Sequence, residues 1–166
     1  MLASQRRFVS VTRVDTPESD YEIVTLAGGA RTVRSLANGE TFHPVIGPVA
    51  EAEALYVRQL GLLARLENHQ GAFVIWDVGL GAAANVLVLL RATRHIPATL
   101  RFLSFDRSLD PLRFAWENSA DLGYFAGYEN FVRQLLSEGA ARLESSVQQV
   151  DWRVCLGDFP AIVEQQ

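Results

Sequence analysis

Residues 73–78, Phe-Val-Ile-Trp-Asp-Val, carry apolar side chains at odd and even positions alike, and Gly79-Leu80-Gly81 follows at once. An extended run that is apolar on both parities fits a strand buried on both faces of a parallel sheet. Residues 82–94 then read as a helix, stopped before Pro97, whose ring cannot continue it. Parallel strands need a crossover, so this strand, turn and helix limit the chain to an α/β architecture.

The rest of the chain supports that limit. Residues 100–105 form a second apolar run and 150–156 a third, while Asp110-Pro111 offers an N-cap and first helical position for a helix through Asn118 or beyond. Another helix is expected over 128–143. From Pro48, the apolar residues Ala52, Leu55, Tyr56, Leu60, Leu63 and Leu66 fall at three- and four-residue steps, predicting an amphipathic helix to about Asn68 that contains Gly61. Upstream, 21–26 and 31–36 alternate around Gly28-Gly29 and lead to Asn38-Gly39, the pattern of a small antiparallel hairpin. The division expected is residues 1–47 as a β-hairpin extension and 48–166 as a Rossmann-like half domain with helices on both sheet faces, together one structural unit.

Bulk properties narrow the function classes. The 166 residues fit one domain, and 15 basic against 19 acidic residues leave a charge of -4, which gives no general field for binding a phosphate backbone. All the basic residues are arginine. With one cysteine, Cys155, no internal disulfide forms, and a reduced cytoplasmic setting is the default. Arg6 and Arg7 are not followed by a long apolar region, so a secretory signal is not expected, and residues 82–90 are too short to span a bilayer.

Asp77-Val78-Gly79-Leu80-Gly81 stands at the carboxyl end of the first apolar strand, where open α/β sheets bind ligands and where glycine lets a ligand approach the backbone. Asp106 ends the second strand and can accept hydrogen bonds from both hydroxyls of a ribose. Asp158 ends the third, beside Phe159, and can accept from an adenine amino group next to an aromatic wall. Any one of these acids could be a solvated loop residue; three closing successive strands point to a nucleoside cofactor. Gly79-x-Gly81-x-x-Ala84 also fits a loose nicotinamide fingerprint. Against that reading, the nicotinamide acid normally lies about 20 residues past the glycines, whereas Asp106 lies 25 past Gly81. Asp77 also adds a carboxylate suited to the positive charges of S-adenosylmethionine.

Residues 39–57 (GETFHPVIGPVAEAEALYV), 77–85 (DVGLGAAAN) and 103–106 (LSFD) resemble the MnmC-like methyltransferases, over roughly residues 21–159. That family includes the methyltransferase half of the enzyme that completes 5-methylaminomethyl-2-thiouridine at the tRNA wobble position. The resemblance implies a class I, S-adenosylmethionine-dependent fold acting on an amine, with tRNA or a small amine as partner. It implies that Asp77, Gly79 and Gly81 line the methionine end of the cofactor, that Asp106 holds the ribose, and that Asp158 and Phe159 meet the adenine. Asn85 follows the turn in the family pattern and joins the cofactor set. Glu51 and His43 would face the mouth of the site; a helix-start acid and a structural histidine are the competing readings.

Two departures stand out. Ala83 occupies the place of a third glycine, and the family continues past the Gly157-Asp158 strand into a fourth strand with a loop at the transferred methyl, whereas this chain ends at Gln166. A non-catalytic module that binds cofactor or a partner is therefore the alternative to an enzyme, with a nicotinamide-binding domain third. The resemblance further implies that the chain by itself does not methylate, and that the 73–78 strand has a bare edge open to homodimerisation.

Overall fold

The computed structural model describes residues 19–163. The first part of the 1–47 extension, including Arg6 and Arg7, and residues 164–166 lie outside them. Strands β1 (Tyr21–Thr25), β2 (Arg31–Ser35) and β3 (Glu40–Thr41) form an antiparallel sheet, with the turn at Gly28-Gly29 closed by Leu26 N–H to Ala30 O. This hairpin shares the main core: Val33 is buried with it, Tyr21 lies against Phe114, and Arg31 pairs with Asp121.

The second sheet runs β4 (Ala72–Val78), β5 (Ala98–Asp106), β7 (Gln148–Leu156) and β6 (Ala140–Glu144) in that spatial order. Strands β4, β5 and β7 are parallel, with Ile75 beside Phe102 and Phe102 beside Trp152. Helices α3 (Ala84–Thr93), α4 (Asp110–Glu117), α5 (Ser119–Leu122) and α6 (Glu129–Glu138) contribute Leu87, Leu112, Leu122 and Leu135 to the core around Phe102 and Trp152. The α/β class and its three parallel strands agree with the sequence reading.

Three local expectations are corrected. The helix over 128–143 ends at Glu138, because Gly139 takes a left-handed conformation with φ 70. Residues 140–144 become β6, antiparallel to β7. Second, Asp110 lies inside α4 rather than capping it, and Leu109 is the N-cap.

Third, the helix over 48–68 is interrupted. It consists of α1 (Pro48–Ala52), a π-helical segment (Glu53–Gln59) and α2 (Leu62–Glu67), with Gly61 left-handed at φ 59. After Pro48, its buried residues are Ala52, Val57 and Leu62, five apart, followed by Leu66. Five-residue steps match the i to i+5 bonding of a π-helix, so the inward stripe rotates away from the expected one. Leu55 and Leu60 consequently face solvent.

The sheet's two faces differ. Phe73, Ile75, Phe102 and Trp152 face the helices. On the other face Phe105 is covered by Trp76 and by Phe159 of the short helix α7 (Phe159–Val163). Val74, Trp76 and Val78 remain about half exposed there, at 50%, 48% and 57%. A groove of about 740 Å³ runs along it past Arg101, Leu103 and Arg153. Among the described residues β4 pairs with β5 alone, so its outer edge is open.

Candidate functional site

At the carboxyl ends of β4, β5 and β7 the chain turns through Gly79 to Gly81, through Asp106-Arg107 and through Gly157-Asp158. The N–H groups of Gly79 and Leu80 both donate to Phe105 O, at 2.9 and 3.2 Å, tying the turn to the neighbouring strand. Gly81 N–H then donates to Asp106 Oδ2 at 2.8 Å, and Arg107 N–H to Asp106 Oδ1 at 2.7 Å. Asp106 thus braces the glycine turn, and each carboxylate oxygen keeps a second lone pair.

Gly79, at φ 85, has no atom within 4 Å of where a Cβ would stand, so its upper side is open. Gly81 is confined: a Cβ there would lie 3.3 Å from the Phe42 ring. Ala83 begins α3 at φ 60, a left-handed conformation that L residues adopt at a cost of about 1–2 kcal/mol. The backbone therefore retains the shape that a third glycine would favour. Beneath it, the buried Tyr124 hydroxyl donates to Ala82 O at 3.0 Å.

Asp77 points to the helix-covered face, its carboxyl group enclosed beside Ser104, Asn85 and Asp106. Ser104 Oγ donates to Asp77 Oδ2 at 2.8 Å, and Trp152 Nε1 donates to Ser104 Oγ at 2.9 Å. Burial pushes the Asp77 pKa up from 3.8 to about 6, against the Ser104 hydrogen bond; Asp106 adds to the rise and an Asn85 hydrogen bond opposes it. Asn85 Oδ1 lies 3.0 Å from His43 Nε2, so one chain of contacts leads from β7 through β5 and β4 to the loop after β3.

That loop lies against the glycine turn. Thr32 Oγ1 donates to Phe42 O, and His43 takes φ 50. Glu51 Oε1 accepts from the N–H groups of Val45, Ile46 and Gly47, at 2.8, 3.0 and 3.3 Å. Burial alone would raise the Glu51 pKa, but these three donors, with His43 nearby, hold it below the ordinary value. Glu51 thereby anchors the loop that carries His43. Gly47 is needed where the loop meets α1: at φ 92, a Cβ would stand 2.5 Å from the Ala30 methyl.

The third acid is more open. Asp158 pairs with Arg107 at 3.1 Å, both side chains largely exposed. Phe159 packs edge-on against Phe105 with ring centroids 5.0 Å apart, which turns it to the second sheet face. Asp77, Gly79, Gly81, Asn85 and Asp106 are therefore drawn together, with Asp158 across Arg107 on the same rim. Sequence reasoning overlooked Ser104, Trp152 and Phe42. Ser104 had a signal, a lone hydroxyl inside the apolar run 100–105.

Among the described residues no group of histidine, cysteine and carboxylate side chains is arranged to hold a metal ion. None of their helices is long and apolar enough to cross a membrane. No protein-family model matches the chain. The fold is similar to that of the crystal structure of MnmC2 from Aquifex aeolicus, with a TM-score of 0.62 and 22% identity over 90% of this chain. The match covers 46% of that protein, so this chain spans about half its length. The two share a fold, α/β with a Rossmann-like sheet.

Proposed function

We propose that this chain binds S-adenosylmethionine and carries the cofactor half of an MnmC-like methyltransferase that acts on an amine. The observation that carries the reading is the rim itself: Asp77, Asp106 and Asp158 end three adjacent parallel strands around a glycine turn with open space above Gly79. A ligand with a sulfonium, an ammonium and a ribose diol matches carboxylates spaced along such a rim.

In this reading Asp77 and the Gly79 to Gly81 turn hold the methionine end, Asp106 offers its remaining lone pairs to the ribose, and Asp158 reaches toward the adenine. The bound cofactor supplies an electrophilic methyl group. The protein's part is to exclude water and hold the reactants in line, an effect that can reach about 7–11 kcal/mol. Modified wobble uridine of tRNA, or a small alkylamine, is the acceptor class that the resemblance favours. A non-catalytic module that holds the cofactor or a partner chain without turnover is the second reading, favoured by the open edge of β4 and its exposed Val74, Trp76 and Val78.

Incubation with methyl-labelled cofactor and undermodified tRNA tests the proposal. Label in the nucleoside supports the enzyme reading. Cofactor binding without label transfer is expected of a cofactor half and of the second reading alike, and the absence of cofactor binding contradicts the proposal.

A further inference from the structure

The hydrogens in the contact chain from β7 to the loop after β3 can be assigned one at a time. An indole N–H only donates, so Trp152 fills a lone pair of Ser104 Oγ. The Ser104 proton is left for Asp77 Oδ2. A carboxylate only accepts, so Asn85 turns its amide nitrogen toward Asp77. Asn85 Oδ1 then faces His43, and Nε2, 3.0 Å away, must carry a hydrogen. Neutral imidazole has a single N–H, which leaves Nδ1 as a lone pair. No described residue stands against that nitrogen as a hydrogen-bond partner.

The position of His43 gives this lone pair a use. Its neighbour Phe42 lies against Gly81, and the left-handed φ of 50 marks a backbone held in place by its surroundings, here the Glu51 anchor. Acidic groups stand on the elements around it: Glu51 on α1, Asp77 on β4 and Asp106 on β5. His69 binds Ala72 O at the opposite end of β4, and His95 follows α3, so neither serves the rim.

We infer that Asn85 locks His43 as its Nε2–H tautomer, so that Nδ1 accepts a hydrogen bond from an alkylammonium group held at the glycine turn. The inference rests on the proposed function and deepens it. Two ammonium groups qualify in that setting, the α-ammonium of the cofactor and the protonated acceptor amine.

Nitrogen-15 spectra of the histidine rings test the lock in the parent protein, so the result does not depend on a variant folding. In its neutral form, His43 should show a pyridine-like Nδ1 and a pyrrole-like Nε2. Asn85→Leu, with its fold checked by circular dichroism, should lose that preference. S-adenosylhomocysteine should then move the Nδ1 signal while its deaminated analogue does not, which assigns the cofactor's ammonium. A response to ethylamine alone assigns the acceptor.

A parent protein with the hydrogen on Nδ1 overturns the inference. So does an Nδ1 signal unmoved by either probe while calorimetry reports S-adenosylhomocysteine binding, a result that leaves the proposed function standing. Nδ1 moved by ethylamine with no heat from either S-adenosylmethionine or S-adenosylhomocysteine overturns the proposed function and keeps the lock.

Discussion

Asp106 Oδ2 accepts the Gly81 N–H at 2.8 Å, so the acid that ends one strand closes the glycine turn of the next. A carboxylate in that position serves the fold and the rim together, and its replacement should be read in both. Asp106→Ala removes charge-assisted hydrogen bonds worth roughly 1.5–3 kcal/mol each. Cofactor binding by titration calorimetry should weaken about tenfold or more, with a lower melting temperature. Asp106→Asn keeps an acceptor for Gly81 and should recover most of the stability but only part of the affinity. Unchanged affinity in Asp106→Ala would make Asp106 a purely structural brace.

Asp77 predicts an unusual pH profile. Its pKa is raised in the folded state to about 6 from 3.8. Between these values the unfolded chain has released the proton while the folded chain still holds it, so this group's contribution to stability falls as pH rises from about 4 to 6. The full effect is at most about 3 kcal/mol. Asp77→Asn should therefore be more stable than the parent at pH 7.5 and no more stable at pH 3.5, as measured by urea unfolding, while losing affinity for the cofactor. A variant less stable at both pH values would show that the ionised carboxylate supports the fold.

Glu51→Ala should release residues 45–47, whose three amides it now satisfies. A loss of about 1–2 kcal/mol in stability and faster proteolysis in this loop are expected. Equal cleavage of parent and variant under limited proteolysis would count against the anchor.

How far the sequence could be read follows from the range of the interactions. The three parallel strands and the acids that close them were legible, because strand parity and the Gly-x-Gly turn are local patterns. The end of α6 was not, since Ala141 and Leu143 fit a helical stripe as well as a strand, and only pairing with β7 decides between them. The rotated stripe of Ala52, Val57 and Leu62 depends on π-helical bonding that a 3.6-residue template does not anticipate. In the site, Asp77, Gly79, Gly81 and Asp106 could be named in advance. The partners that set their chemistry could not: Ser104 is 27 residues from Asp77, and Trp152 is 48 from Ser104.

The open edge of β4 has an expected consequence in solution. Val74, Trp76 and Val78 are half exposed on a strand that, among the described residues, pairs with β5 alone, and such edges pair with one another. Light scattering should give a mass that rises with concentration. Val74→Lys, at an exposed position, should reduce that rise without lowering the melting temperature by more than a few degrees. A parent that stays monomeric at every concentration would show that this edge is otherwise protected.

The rim of Asp77, Asp106 and Asp158 is proposed here as a cofactor site for S-adenosylmethionine. Titration calorimetry on the parent chain with S-adenosylmethionine, S-adenosylhomocysteine and NAD tests it most directly. Saturable binding at a single site for the first two, and no heat with NAD, is the expected result. Saturable binding of NAD, with silence from both sulfur ligands, would contradict it.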